Sequence, residues 1–249
     1  MSNDKGSFVR ALWGAAVFVS LTLTLSLLVL ALTPLGLMSA PGTGKVARFW
    51  ARAILWSIGV KVAVEGLQNL PSQDGFILLS NHQAVFDILA IMGGLPLDIR
   101  WLAKVSLFKI PLMGRAMKRC GYIPVDRADS SKALGLLKGA ARQVKAGAKV
   151  VVFPEGTRNR RPAQGLLPFK KGGFVLACLA GRPIVPMGLI GTDQVMTKDG
   201  FRIFPGRQVR IKIGPPLDPA RFSRQEVDDF IQTARQSLEV LTGRAGGKP

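Results

Sequence analysis

Residues 76–90, FILLSNHQAVFDILA, decide the fold: an apolar run without charge enters the polar turn Ser80-Asn81-His82-Gln83 and leaves it into a second apolar stretch. A continuous apolar run of this length, bounded by turn residues, reads as a strand buried on both faces, and the VFDILAIM that follows reads as a helix. The same grammar extends in both directions. VAVEGL (residues 62–67) upstream, and IRWLA (99–103), YIPV (122–125), KVVVFP (149–154), PIVPMGLIG (183–191) and RQVRIKIG (207–214) downstream, read as strands. Helices separate them. SSKALGLLKGAARQVKAG (130–147) puts Leu134, Leu137 and Ala141 at helical spacing before Gly147, and an amphipathic helix is expected over residues 223–241. No internal repeat is visible, so the expectation is one α/β domain with a mixed, mostly parallel central sheet flanked by helices.

Upstream of that domain the chain changes character. No charged residue occurs between positions 11 and 44, and residues 11–33, ALWGAAVFVSLTLTLSLLVLALT, match the length of about 20 residues that crosses a hydrocarbon core. This reads as an N-terminal membrane-anchoring helical segment. The competing reading is a signal peptide, because Lys5 and Arg10 precede the run, but a signal peptide's apolar region is about 7 to 15 residues long and this one is longer. The segment could span or could enter and leave on one face. After the Gly/Pro-rich turn PGTG (41–44), RFWARAILWSIGVKV (48–62) offers Phe49, Ile54, Leu55 and Ile58 for one side of a helix, with Trp50 and Trp56 suited to headgroup depth. It reads as an interfacial helix, with a plain core helix as the alternative.

Charge narrows the function. The 249 residues carry 34 Lys+Arg against 15 Asp+Glu, a net +19, and are nonetheless 48% hydrophobic with mean hydropathy +0.26. So apolar a chain is neither a disordered basic tail nor a typical soluble nucleic-acid binder, and no nucleic acid is expected as partner. Membrane lipid fits both the charge and the apolarity. Cys120 and Cys178 stand at no metal or redox spacing, and one histidine cannot build an imidazole-based metal site, so no metal or cofactor is expected.

That histidine, His82, precedes Asp87 by five residues. Within one regular helix five residues turn through about 500°, leaving the side chains roughly 140° apart. If His82 instead occupies the turn and Asp87 the first turns of the helix, the imidazole can fold back onto the carboxylate, which fixes one tautomer and leaves the other nitrogen as a base. A structural, cap-forming histidine is the alternative. VVVFPEGTRNRR (150–161) is a second candidate: a strand leads to Glu155, Gly156, Thr157 and Arg158, a turn whose amide, hydroxyl and guanidinium donors suit a phosphate, though an ordinary turn has the same residues.

Four blocks in order, NHQAVFD (81–87), GYIPVDR (121–127), FPEGTRN (153–159) and IVPMGLIG (184–191), resemble those of the glycerolipid acyltransferases, and within that family the bacterial enzymes that acylate 1-acyl-glycerol-3-phosphate. The resemblance covers residues 79–191. It implies His82 as general base, Asp87 as its orienting carboxylate, and phosphate contacts from Arg158 supported by Gly156 and Thr157, with Lys104 and Arg127 near the same group. Glu155 is the family's acidic residue there, holding Arg158 or contacting substrate, and Pro186 shapes the fourth block and the acyl-binding wall. The proline within YIPV, where the family often has a larger apolar residue, leaves the pose of Arg127 open.

The implied reaction moves an acyl chain from acyl-CoA or acyl-carrier protein, each a co-substrate, to lysophosphatidic acid, giving phosphatidic acid. The rivals are another acceptor, such as glycerol-3-phosphate, and a non-enzymatic basic binding protein. The expected organisation is an anchor over residues 1–44, an interfacial helix and linker over 45–65, the catalytic domain over 66–242 and a disordered tail over 243–249. The expected location is the bacterial inner membrane with the catalytic domain on the cytoplasmic side, where the thioester donors are and where Lys45, Arg48 and Arg52 would lie.

Overall fold

A computed structural model of the protein describes residues 6–72, 75–125, 133–222 and 227–244. Among these residues seven strands, β1 (Lys61–Glu65), β2 (Phe76–Ser80), β3 (Ile99–Lys104), β4 (Ile123–Val125), β5 (Lys149–Val152), β6 (Ile184–Ile190) and β7 (Gln208–Ile213), form one sheet in the order β1-β7-β6-β2-β5-β3-β4. Every ladder among the described residues is parallel except β6–β7, so the sheet is mixed and mostly parallel, as expected. β2 lies near the middle with all five residues buried. That is why it reads as an unbroken apolar run: Phe76 and Leu78 enter the core on one face, Ile77 and Leu79 the core on the other.

Helices α2 (Ala40–Ser57) and α3 (Phe86–Gly94) cover the first face, and α5 (Ala133–Lys145), α6 (Gly172–Ala180) and α7 (Val227–Thr242) the second. α1 (Phe8–Leu32) and α4 (Met113–Arg119) pack together at the periphery. Because β2 feeds α3 on one face and β5 feeds α6 on the other, the chain separates between these two neighbouring strands. In open α/β sheets a crevice opens at that place, outside the carboxyl ends of the strands.

Several boundaries differ from expectation. PGTG (41–44) is the first turn of α2, with Pro41 at a helix-start position where a missing N–H costs no bond. The face of α2 that carries Ala51, Ile54, Leu55 and Ile58 is buried in the core, so the helix packs on the sheet and its interfacial reading survives only for the opposite side, where Phe49 is 58% and Trp56 83% exposed. β1, read as a strand from VAVEGL, pairs with β7, so the sheet begins within the 45–65 segment expected to be interfacial helix and linker. At the other end the described chain continues past α7: Gly243 takes φ +68 and the Arg244 N–H donates to the Glu239 carbonyl at 2.9 Å, a helix stop built on glycine's tolerance of left-handed backbone. Residues 245–249 of the expected tail lie outside the described residues.

α1 is long and apolar enough to cross a membrane, yet it is moored to the domain at both ends. Ser7 and Ile203 exchange backbone hydrogen bonds of 2.7 and 3.1 Å at its start, and near its end Val29 is buried against Ala116 and Cys120. Midway, Trp50 Nε1 donates to Thr22 Oγ1 at 3.0 Å. At roughly 1.5 Å per residue the helix therefore lies along the domain rather than projecting from it.

Candidate active site

The site is assembled from two loops, one after β2 and one after β5, which emerge side by side because Leu79 and Val152 are in register. The first loop is braced from below. Asn81 Nδ2 donates to the Leu189 carbonyl at 3.0 Å and its Oδ1 accepts from the Leu189 N–H at 2.7 Å, so an asparagine side chain extends the β6 ladder where the β2 backbone turns away. Gln83 Nε2 adds a 2.6 Å bond to the same carbonyl.

His82 sits in this turn, and α3 begins four residues later, which makes Asp87 its second residue. His82 Nδ1 is 2.6 Å from Asp87 Oδ2, the folded-back arrangement that the five-residue spacing permits only when His82 is outside the helix. The same oxygen accepts the backbone N–H of Gln83 at 2.6 Å and of Ala84 at 2.9 Å. Asp87 is fully buried, whereas the His82 side chain keeps 13% of its surface open. An ionised, acceptor-only carboxylate requires Nδ1 to carry the proton, which leaves Nε2 as the basic nitrogen. The imidazole is also clamped flat: Phe153 stacks on it with centroids 4.1 Å apart at 13°, and Trp101 tilts against Phe153 at 6.1 Å.

The second loop grips the backbone of the first. Glu155 points inward, with Oε1 accepting the His82 N–H and Oε2 the Leu167 N–H, both at 2.9 Å. The Asn159 N–H donates to the His82 carbonyl at 2.7 Å, and Asn159 closes its own loop on Gly165 and Arg161. Burial pushes the Glu155 carboxyl above its ordinary value, and the two N–H donors pull it part of the way back. Beside the two roles expected of Glu155, holding Arg158 or contacting substrate, its hydrogen bonds give it a third: they tie the Glu155–Leu167 loop to the His82 turn.

Gly156 follows with φ +68, where a side chain would be strained, and a Cβ there would stand 2.7 Å from Cε of Lys170, which crosses over the turn. Thr157 and Arg158 are exposed beyond it, and Lys104 is exposed at the carboxyl end of β3, the strand beside β5. These donors therefore share one edge of the sheet with His82, although among the described residues no hydrogen bond or ion pair links Lys104, Thr157 or Arg158 to the His82–Asp87 pair. Arg127 lies outside the described residues. Pro186 is buried inside β6 opposite Leu79, so its place is in the sheet. Phe153, Asn81, Gln83 and Asn159 carry structural work that motif reading alone does not assign, although all four lie within the quoted blocks.

Comparison with known proteins converges on one group. A family model described as Acyltransferase matches residues 61–190. A chloroplastic 1-acyl-sn-glycerol-3-phosphate acyltransferase of Brassica napus, BAT2, is 36% identical over 173 residues, 69% of this chain and 49% of that protein. The human 1-acyl-sn-glycerol-3-phosphate acyltransferase alpha is 31% identical over 210 residues, covering 82% of this chain and 73% of the human protein. The crystal structure of the 1-acyl-sn-glycerophosphate acyltransferase PlsC from Thermotoga maritima superimposes with a TM-score of 0.76 at 26% identity, over 95% of this chain and 97% of that one. The chain spans about half the length of the chloroplast relatives it matches.

Proposed function

The chain belongs to the acyltransferase family, and from that membership together with the geometry of the His82 turn we propose that it transfers an acyl chain from a thioester donor to the sn-2 hydroxyl of 1-acyl-glycerol-3-phosphate, forming phosphatidic acid. The observation that carries the reading is the 2.6 Å His82–Asp87 contact at the open carboxyl edge of the sheet. His82 Nε2 takes the proton from the acceptor hydroxyl as its oxygen attacks the thioester carbonyl carbon. Asp87 stabilises the imidazolium so formed. When the C–S bond breaks, the imidazolium returns the proton to the leaving thiolate, so an ester and a free thiol result and the histidine is reset. No covalent enzyme intermediate is needed, and acyl-CoA or acyl-carrier protein enters as co-substrate.

The phosphate of the acceptor is assigned to the exposed cations on the same edge, Arg158 foremost, with Lys104 and the Gly156–Thr157 turn. Only arginine offers a planar fork, so Arg158→Lys keeps the charge and loses the geometry. The expected result is a rise of about tenfold or more in the acceptor KM with a smaller change for the donor, measured by initial rates with each substrate varied in turn. Equal rises for both substrates, or a rise for the donor alone, would remove Arg158 from the acceptor site.

Membrane attachment is assigned to the apolar surface shared by α1 and the outer side of α2. Phe8, Leu12, Trp13 and Leu23 on α1, Leu35 and Leu37 after it, and Phe49 and Trp56 on α2 are all exposed. With both ends of α1 moored to the domain, the reading is a helix lying in one leaflet, on the cytoplasmic side of the cell membrane where the thioester donors are. Replacing Phe49 and Trp56 with serine is expected to weaken binding to anionic vesicles about tenfold or more without lowering the melting temperature, since neither side chain enters the core. Unchanged binding would contradict this surface, and digestion of the domain by protease added to sealed cells would contradict the cytoplasmic side.

A further inference from the structure

The family model stops at residue 190, well before α7, yet α7 and the residues just after it return two arginines to the loops of the site. Arg235 Nη1 and Nη2 donate to the carbonyls of Leu167 and Leu166 at 3.0 and 2.8 Å, while Nε pairs with Glu239 Oε1 at 3.0 Å. Leu167 is the residue whose N–H holds Glu155 Oε2, so this arginine secures the far end of the second loop. The second arginine is Arg244. The positive φ of Gly243 ends the helix and redirects the chain, and Arg244 Nη2 then donates to Gln83 Oε1 at 2.8 Å.

Gln83 joins the His82 turn to both Asp87 and β6. Its backbone N–H donates to Asp87 Oδ2, and its side-chain Nε2 donates to the Leu189 carbonyl. A free carboxamide could flip and exchange its oxygen and nitrogen, but here one end faces a carbonyl, which only accepts, and the other faces a guanidinium, which only donates. Arg244 thereby selects one orientation of Gln83. The charge also matters. Burial pushes the Arg244 guanidinium below its ordinary value, and the nearby Asp193, Glu155 and Asp87 oppose that shift. Asp87 Oδ1 and Arg244 Nη1 are each buried without a partner among the described residues, a spare acceptor and a spare donor within the same network.

We propose that Arg244 is a positioning residue of the catalytic turn, fixing the Gln83 side chain and, through it, the backbone donor that holds the Asp87 carboxylate against His82. Arg235 does the equivalent for the Glu155 loop, so the C-terminal segment closes on the two loops together. The inference rests on the reading of His82 as general base.

The test uses the purified full-length protein carrying Arg244→Ala, Gln83→Met or both, with Arg244→Lys as the conservative variant. A misplaced base lowers the chemical step, so kcat at a temperature well below melting is expected to fall about 10- to 100-fold in Arg244→Ala, with both KM values within about twofold of wild type. Arg244→Lys should recover part of the loss, and it also serves should the alanine variant fail to fold. Because both single changes cut the same link, the double variant should lose no more than the worse single. Wild-type kcat in folded Arg244→Ala, a loss confined to KM, no difference between Arg244→Lys and Arg244→Ala, or losses that multiply in the double variant would each overturn the proposal. If His82→Ala abolishes turnover while Arg244→Ala is unaffected, only this inference fails; if folded His82→Ala retains turnover, the reading beneath it fails.

Discussion

His82→Ala is expected to lower turnover by about 100- to 10,000-fold while the protein stays folded. No other imidazole exists in the chain to substitute as base. The fold should tolerate the change because the turn is held through the backbone of residue 82, not through its ring: the N–H bonds Glu155 and the carbonyl accepts from Asn159 whatever the side chain. Asp87 retains the N–H donors of Gln83 and Ala84, so its buried carboxylate is not left alone. The main structural loss is the stacking contact with Phe153, worth about 0.5–1.5 kcal/mol. Steady-state turnover alongside a melting curve checks the prediction, and near-normal turnover in the folded variant would show that some other group removes the proton.

Asp87→Asn should be almost as severe for rate and much milder for stability. Among the described residues only Oδ2 of the two Asp87 carboxylate oxygens has hydrogen-bond partners, so an asparagine can place its carbonyl oxygen there and keep the bonds from Gln83, Ala84 and His82. Its amide nitrogen then falls where Oδ1 now lacks a partner. Geometry survives but the negative charge does not, and the imidazolium loses the group that stabilises it as the proton is taken. A fall of about 100- to 10,000-fold in kcat with a native-like melting temperature is expected. Asp87→Ala, by contrast, strands two backbone donors and should cost about 1–3 kcal/mol for each. If the asparagine variant kept its rate, His82 would be acting without help from the carboxylate. If the two variants were equally stable, the backbone donors would not depend on residue 87.

What can be read from the sequence follows the range of the interactions. β2, β5 and β6 announce themselves because burial on both faces demands unbroken apolar residues, and the His82–Asp87 pair is local enough that helical geometry restricts its arrangement. Strand order has no comparable signal: β7 inserts between β1 and β6, parallel to the first and antiparallel to the second, and nothing local in RQVRIKIG specifies its neighbours. The inward turn of Glu155 depends on an N–H donor 73 residues away, and the clamp by Arg244 spans 161 residues from a glycine-rich stretch that reads as a tail. PGTG looks like a turn because glycine and proline usually make one, yet proline is welcome at a helix start. The apolar pattern of α1 is the same whether the helix spans or lies flat. Its moorings on Ile203 and on Ala116 and Cys120 join residues far apart in the chain and leave no local mark in that pattern.

Acyl transfer from a thioester to lysophosphatidic acid is most directly tested by giving the purified protein, on anionic vesicles, an acyl-CoA or an acyl-carrier protein thioester with lysophosphatidic acid, glycerol-3-phosphate or a lysophospholipid of different headgroup, and identifying the lipid formed. Phosphatidic acid from lysophosphatidic acid, at a rate well above those with the other acceptors and abolished in His82→Ala, is the expected result. Folded protein that leaves lysophosphatidic acid untouched with both donors, or that acylates another acceptor faster, would contradict it.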